Sequence, residues 1–349
     1  MSTASPLEPN TFDWIEANTP QTSTNDFKTA LLPENEVKNR YSNVLPNETT
    51  RVLVRKTDYI NANHVFGNRY ISCQAPLSNT TEDFYTMAWE QESGVVVMLT
   101  KFEEKEKSKA SSYFPDTPGQ MKRFGNFTVT CGAVLFGDPQ TIGRMEMQAR
   151  ELIMENKTLG KGKRTLIHIH YTGWPDFGVP PNSLIFRDMI YIVLSCCGRY
   201  KGKALTGPPI IHCSAGLGRS GTFLGTLRFY QQYFNSLLKK PVPFVFNQKT
   251  TKAGELENRI NAIDKPVSGI ELRELLANVV FSMRSERKGM VQTAEQYEFL
   301  VANVGEFFQT VWGKMNGKKS ELIEVVKPLM SDTTQEAIDP FIKKIKKKK

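Results

Sequence analysis

The chain has 349 residues, 40% of them hydrophobic, with 45 basic side chains against 36 acidic ones and a net charge of +9. That length holds one large α/β domain with extensions or two small domains, and no apolar run approaches the ~20 residues a membrane span requires. Six of the basic residues are lysines within positions 341–349; the other 39 face 36 acids, so the body is only mildly basic and nucleic-acid binding by its surface is not implied.

Five cysteines, odd in number and scattered, argue against a disulfide framework and for a reducing compartment. The first thirty residues lack a basic stretch followed by an apolar core, so no secretory signal is expected and the chain reads as cytoplasmic. Residues 1–25, rich in Ser, Thr, Pro and Asn, read as a loosely ordered lead. Globular patterning begins near Asp26 and continues to about residue 313. Residues 52–55 and 70–73 look like strands. A helix follows, capped by Thr80, with Glu82 and Asp83 in its first turn and a stop at Gly94. Positions 95–99 are apolar throughout, as in a strand covered on both faces. Residues 103–165 alternate short β patterns with turns such as Asp138-Pro139, and 166–170 is a further strand. His168 and His170 alternate on one of its faces; without a carboxylate or third histidine nearby they read as hydrogen-bonders, and no metal is expected. Cys196 and Cys197 fall in an apolar helical stretch and read as core.

The most informative stretch is His212-Cys213-Ser214-Ala215-Gly216-Leu217-Gly218-Arg219-Ser220. An apolar strand enters it and a helical pattern leaves it. Small residues let such a loop curl so that successive N–H groups form a concave nest for an oxyanion. The positive end of the following helix and the planar fork of Arg219 add to that field, which favours the reactive thiolate form of a cysteine and implies sensitivity to peroxide. The stretch thus describes Cys213 as a nucleophile beneath a phosphate cradle. No Gly-Lys-Ser/Thr follows the glycines, so it is not a nucleotide-binding P-loop. Thiolate attack on a phosphate ester needs an acid for the departing oxygen, and Asp176 in Trp174-Pro175-Asp176-Phe177-Gly178 is the candidate, on a segment with a proline brace and a glycine hinge.

Downstream, Phe223, Leu227, Tyr230, Phe234 and Leu237 fall at helical spacing. Residues 239–267 break the order with three prolines and read as a surface insertion. Ser268 with Glu271 and Thr293 with Gln296 read as capping boxes opening two amphipathic helices. Residues 314–349 form a weakly patterned extension ending in the lysine run, which suits an acidic membrane surface or a nuclear address.

The loop from Cys213 to Arg219, the Trp174-Pro175-Asp176 segment, Lys38-Asn39-Arg40-Tyr41 with Asp58-Tyr59-Ile60-Asn61-Ala62, and Val291-Gln292-Thr293-Ala294-Glu295-Gln296-Tyr297 stand in order over about residues 38–308. Together they resemble the phosphotyrosine-specific, non-receptor protein tyrosine phosphatases. The resemblance implies an α/β fold, a single catalytic domain over 26–313 with a central twisted mixed β-sheet flanked by helices. It implies hydrolysis of phosphotyrosine in proteins through a phosphocysteine on Cys213, with no cofactor. Asp176 would act as acid and then base; Arg219 and the amides of Ser214, Ala215, Gly216, Leu217 and Gly218 would hold the phosphoryl oxygens. Gln292 would position water, assisted by Gln296, and Ser220 would hydrogen-bond the sulfur. Tyr41 would wall the pocket, too deep for phosphoserine. Glu104 would brace the loop arginine, Lys109 would contact the acid segment, and His212 would tune the nucleophile. Asn43 stands where the family usually has aspartate, which alters peptide binding; Ala75 replaces a usual glycine, and Gly289 leaves the approach to the pocket open. Arg284 and Arg287 suggest a second anion site. A dual-specificity or phosphoinositide phosphatase and a phosphotyrosine-binding pseudophosphatase are the alternatives, and the oligomeric state is left open.

Overall fold

The computed structural model describes residues 11–55, 59–137, 146–160, 162–175, 178–196, 199–200, 203–204, 207–238, 267–311, 326–332, 334–336 and 338. Among them, eight strands form one mixed sheet: β1 (Ala62–Val65), β2 (Tyr70–Cys73), β3 (Val95–Met98), β4 (Met121–Phe124), β5 (Phe127–Phe136), β6 (Met147–Asn156), β7 (Lys163–Tyr171) and β8 (Ile210–His212). Their spatial order is β1-β2-β8-β3-β7-β6-β5-β4. The four central strands β2, β8, β3 and β7 run parallel, and the outer pairings are antiparallel.

Parallel strands are covered on both faces, which is why 95–98 is apolar at every position. The side-chain period of two then sends Val95 and Val97 into one core and Val96 and Met98 into the other. Helix α1 (Phe12–Asn18) precedes the sheet, and α2 (Thr81–Glu90) packs Phe84, Tyr85, Met87, Ala88 and Trp89 into the second core. The first core is covered by α3 (Ser183–Cys196), α4 (Gly218–Leu238), α5 (Gly269–Glu286) and α6 (Ala294–Val311). The register places His212 beside Cys73 and Met98, and Met98 beside His170. The carboxyl ends of all four parallel strands therefore meet at one edge, the usual place for a site in a sheet of this kind.

The residues depart from the sequence reading in several places. Residues 52–55 alternate in burial, with Val52 and Val54 enclosed and Leu53 exposed, but make no strand ladder; only Arg51 bridges Asn63. Thr80 precedes α2 without capping it, because its hydroxyl accepts the Leu77 N–H instead, and α2 ends at Glu90, before Gly94. Ser268 likewise precedes α5 without a side-chain cap. The stretch read as a loose lead contains α1, capped by Thr11, which accepts from Trp14 N at 3.2 Å, with Ile15 fully buried against α5 and α6. Beyond residue 313 the chain also returns to the body. Val326, Met330 and Ile338 join the first core, and Asp188 of α3 accepts from Ser331 N (3.2 Å), Ser331 Oγ (2.5 Å) and Thr334 Oγ1 (2.6 Å). The 239–267 insertion lies outside the described residues except for Val267, which is buried, and so do the lysine run, Asp138-Pro139 and Cys197. Among the described residues, no helix is long and apolar enough to cross a membrane.

If α1 is an integral part of the core, Ile15→Ala costs about 2–4 kcal/mol in urea denaturation; a change below ~0.5 kcal/mol would mark a surface position.

Candidate active site

The loop after β8 is shaped by what holds its carbonyls. Leu99 N donates to His212 O (2.9 Å), Ala75 N to Ser214 O (2.9 Å), and Ser72 Oγ to Gly216 O (3.0 Å). Arg287 donates Nε to Gly216 O (3.0 Å) and Nη2 to Ala215 O (2.9 Å), while Gly221 N and Val291 N both reach Leu217 O. A trans peptide points its C=O and N–H in opposite directions, so bonding the carbonyls of Ser214 to Leu217 outward turns the N–H groups of Ala215 to Gly218 inward. Two of these contacts are visible: Gly216 N donates to Cys213 Sγ (3.2 Å) and Gly218 N to Gln292 Oε1 (3.1 Å). Gly216 has φ +72°, and a Cβ there would stand 2.1 Å from Cys73 O, so only glycine fits.

Arg219 opens α4 and is 4% exposed. Its guanidinium is held in a two-pronged pairing, Nη1 to Glu104 Oε1 (2.8 Å) and Nη2 to Glu104 Oε2 (2.7 Å), with Nη1 also donating to Leu99 O (3.1 Å). Such a fork fixes the plane of the arginine as well as its charge. Burial pushes the Glu104 carboxyl up, but the Arg219 bonds and charge, with Lys101 N–H and the Thr100 hydroxyl, outweigh it and hold the group below the ordinary carboxylate range. Glu104 stands on a hairpin of Glu103–Glu104 with Lys107–Ser108. Its two turn residues, Lys105 and Glu106, both take positive φ (49° and 62°), the geometry whose twist matches a two-residue hairpin.

A cleft of about 620 Å³ is lined by Tyr41, Asn43, Glu104, Lys109, Cys213, Ser214, Ala215, Arg219, Gln292 and Gln296, among others. Ser214 Oγ donates its hydrogen to Lys109 O (3.0 Å), so the Tyr41 hydroxyl is the donor in its 2.8 Å bond to Ser214 Oγ. That bond stands the Tyr41 ring at the pocket wall. Gln296 N donates to Thr293 Oγ1 (3.2 Å), half of the expected capping box; the Gln296 side chain is diverted to accept from Gln292 N (2.9 Å). The structure therefore brings together Cys213, Arg219, Gln292, Gln296, Tyr41, Asn43 and the loop residues Ser214 to Gly218. Asp176 and Phe177 lie outside the described residues, but the start of their segment is anchored. Trp174 is buried against Phe186 and Phe299 and donates Nε1–H to Gly178 O (2.8 Å).

Two expectations are corrected. The Ser220 hydroxyl is buried without a hydrogen-bond partner and does not bond the sulfur, which takes the Gly216 N–H. Arg284 and Arg287 form no second anion site, because both guanidiniums are enclosed and engaged. Arg287 also reaches Asn63 Oδ1 (2.7 Å) and Asn61 Oδ1 (2.9 Å), and Arg284 reaches Glu16 Oε1 (2.6 Å) and Thr19 Oγ1 (2.8 Å). Burial lowers the Arg287 guanidinium to about 10 against the opposing pull of Cys73, Tyr59 and Cys213. These roles went unread in the sequence because the partners stand far away in the chain. Behind Cys213, His212 Nδ1 lies 3.0 Å from Cys213 O, and the Tyr113 hydroxyl lies 2.7 Å from both His212 Nε2 and His168 Nε2. His170 Nε2 donates to Thr100 O (2.8 Å). Cys196 is fully buried, and burial pushes its thiol up.

A buried cysteine facing inward-turned amides and a pinned guanidinium defines a cysteine-based site for a tetrahedral oxyanion. The family described as protein-tyrosine phosphatase matches residues 35–247, and the chain belongs to that family. Tyrosine-protein phosphatase 3 of Dictyostelium discoideum is 37% identical over 289 residues, covering 78% of this chain and 25% of that protein. Tyrosine-protein phosphatase 2 of the same organism is 30% identical over 362 residues, 86% of this chain and 84% of the relative. Tyrosine-protein phosphatase non-receptor type 4 of Mus musculus is 33% identical over 282 residues, 78% of this chain and 25% of that protein. The chain thus spans a quarter of the length of the first and third of these relatives.

Burial lowers His64, His170 and His212 to about 4 and holds His168 well below the ordinary imidazole range, and these are the four histidines of the chain. A histidine held below its unfolded value takes up a proton on unfolding between the two values, so its contribution to stability is lost as pH falls through that window. Stability should therefore drop steeply from pH ~6.5 toward ~5, with unfolding at the lower pH binding up to four protons at these side chains. Urea denaturation across that range measures the slope.

Proposed function

We propose that this protein hydrolyses phosphotyrosine in proteins through a phosphocysteine intermediate. The observation that carries this reading is Cys213 Sγ set among loop amides beside an Arg219 fork that Glu104 holds in plane. A phosphate dianion entering the cleft meets preorganised donors, which stabilise the equatorial oxygens as charge spreads over them. In the first step Sγ forms a bond to phosphorus, the bond to the phenolic oxygen breaks with its electron pair, and Asp176 supplies that oxygen with a proton. In the second, a water held by Gln292 bonds to phosphorus, the S–P pair returns to sulfur, and the water proton passes to Asp176. The Tyr41 ring supports selection by depth, since a flat aryl group packs against it and a serine phosphate is too short to bring phosphorus to the sulfur.

Asn43 at the mouth accepts a peptide N–H without adding charge, which supports tolerance of acidic residues beside the phosphotyrosine. A free reactive thiol stays reduced in the cytoplasm, the compartment that suits this chemistry. The six lysines within 341–349 support attachment to an acidic lipid surface at ~1 kcal/mol each.

Cys213→Ser should abolish turnover of a phosphotyrosyl peptide while leaving its binding in place. Asp176→Ala should lower kcat by about 10²–10⁴-fold and lengthen the life of the complex. Turnover compared on phosphotyrosyl peptide, phosphoseryl peptide and phosphoinositide tests the substrate class; preference for either of the last two would overturn the reading.

A further inference from the structure

Gln292 follows a backbone distortion. Val291 has φ +60°, a region that a β-branched residue enters only when its neighbours hold it there. The holding group is Arg284 of α5, which donates Nε to Met290 O (2.9 Å) and Nη2 to Val291 O (2.7 Å). These two carbonyls belong to the peptide planes on either side of Val291, so the position of one guanidinium sets the direction in which Gln292 leaves the turn. The Val291 N–H, in turn, donates to Leu217 O of the nucleophile loop (3.3 Å).

Arg284 is 4% exposed, and a buried cation is costly unless it is paired. Its acidic partner comes from the other end of the chain. Glu16 Oε1 accepts from Nη2 at 2.6 Å, and Thr19 Oγ1, which donates its own hydrogen to Ile15 O, accepts from Nη1 at 2.8 Å. The Phe12 ring lies 5.3 Å from the guanidinium carbon, and Lys288 Nζ reaches Thr22 Oγ1 at 2.6 Å, extending the contact along the same segment. The first turns of the chain are thus tied through a single side chain to the residue before Gln292.

We propose that α1 and the turn after it are a positioning strap for Gln292: Glu16 and Thr19 place Arg284, and Arg284 places the Met290 and Val291 carbonyls. Given the role of Gln292 proposed above, the strap acts on hydrolysis of the phosphocysteine, when water bonds to phosphorus and the S–P pair returns to Cys213. Capture of the phosphoryl group does not need it, because Arg219 is braced by Glu104 and Leu99, the carbonyls of Ser214, Ala215 and Gly216 are held by Ala75, Arg287 and Ser72, and Leu217 O, which Val291 N reaches at 3.3 Å, also takes the shorter Gly221 N–H bond (2.7 Å). Glu16, Thr19 and Arg284 are positioning residues and touch no substrate.

The test is stopped-flow hydrolysis of para-nitrophenyl phosphate by the full chain, comparing wild type, Gln292→Ala, Glu16→Gln and the Glu16→Gln/Thr19→Ala double variant. The Glu16 side chain is 55% exposed, so Glu16→Gln keeps the fold, and thermal unfolding verifies this for both strap variants. Loss of the strap should slow the second step alone: kcat falls roughly fivefold, KM falls in proportion so that kcat/KM holds, and a burst of nitrophenolate close to one per enzyme appears. Acid quenching should then recover phosphate on Cys213. If Gln292→Ala shows a burst but neither strap variant does, the strap is overturned and the role of Gln292 stands. If Gln292→Ala shows no burst, that role fails and the strap fails with it.

Discussion

The site depends on the direction of a few peptide planes. An oxyanion cradle made of backbone N–H groups exists only while the opposite ends of the same peptides are held elsewhere, and here the holders are scaffold donors: Ala75 N, Ser72 Oγ and, above all, Arg287. That arginine is fully enclosed and spends its guanidinium on two loop carbonyls and two asparagine side chains. Its charge lies on the outer side of the loop and that of Arg219 on the inner side. One cation shapes the backbone; the other faces the cleft. The carbonyl-binding role explains why Arg287 cannot also serve a ligand.

The sheet supplies the rest of the precision. Cys73, Met98, His170 and His212 lie at adjacent carboxyl ends of parallel strands. The segments leaving those ends carry Ala75, which binds Ser214 O, Leu99, which binds Arg219 and His212, and Trp174, which binds Gly178 O. A site built on strand ends inherits the rigidity of the ladder, and long loops are then needed only where movement is useful. Trp174 is locked between Phe186 and Phe299, and its indole N–H holds the Gly178 carbonyl.

What the sequence disclosed and what it hid follow from the same physics. The curled loop was legible because its parts are contiguous, so His212 to Ser220 carry their geometry in their order. Gln292 and Gln296 were pointed to only by the resemblance to the phosphatase family, and the capping-box reading of Gln296, which did come from spacing, missed that its side chain is turned to Gln292. Arg284 and Arg287 were misread because a cation near a pocket looks available until its partners are known, and Glu16, Asn61, Asn63 and Gly216 are brought to them only by folding. α1 was hidden by its surroundings. It is seven residues long within a stretch dominated by Ser, Thr and Pro, and its single fully buried side chain is too little for periodicity to show.

The pair of histidines around Tyr113 has a consequence of its own. A phenol owns one hydrogen, so it can give to one imidazole and must receive from the other. His212 Nδ1 faces the Cys213 carbonyl, which can only accept, and so that nitrogen bears the hydrogen and Nε2 is bare. Tyr113 gives to His212, and His168 Nε2 gives to Tyr113. The chain of donors thus has one sense, ending on the carbonyl of Cys213, and a proton added at His212 would set two hydrogens head to head. The tautomer of each ring is dictated by its neighbour, and the base of the loop is locked against the drift in protonation that two loose imidazoles would bring.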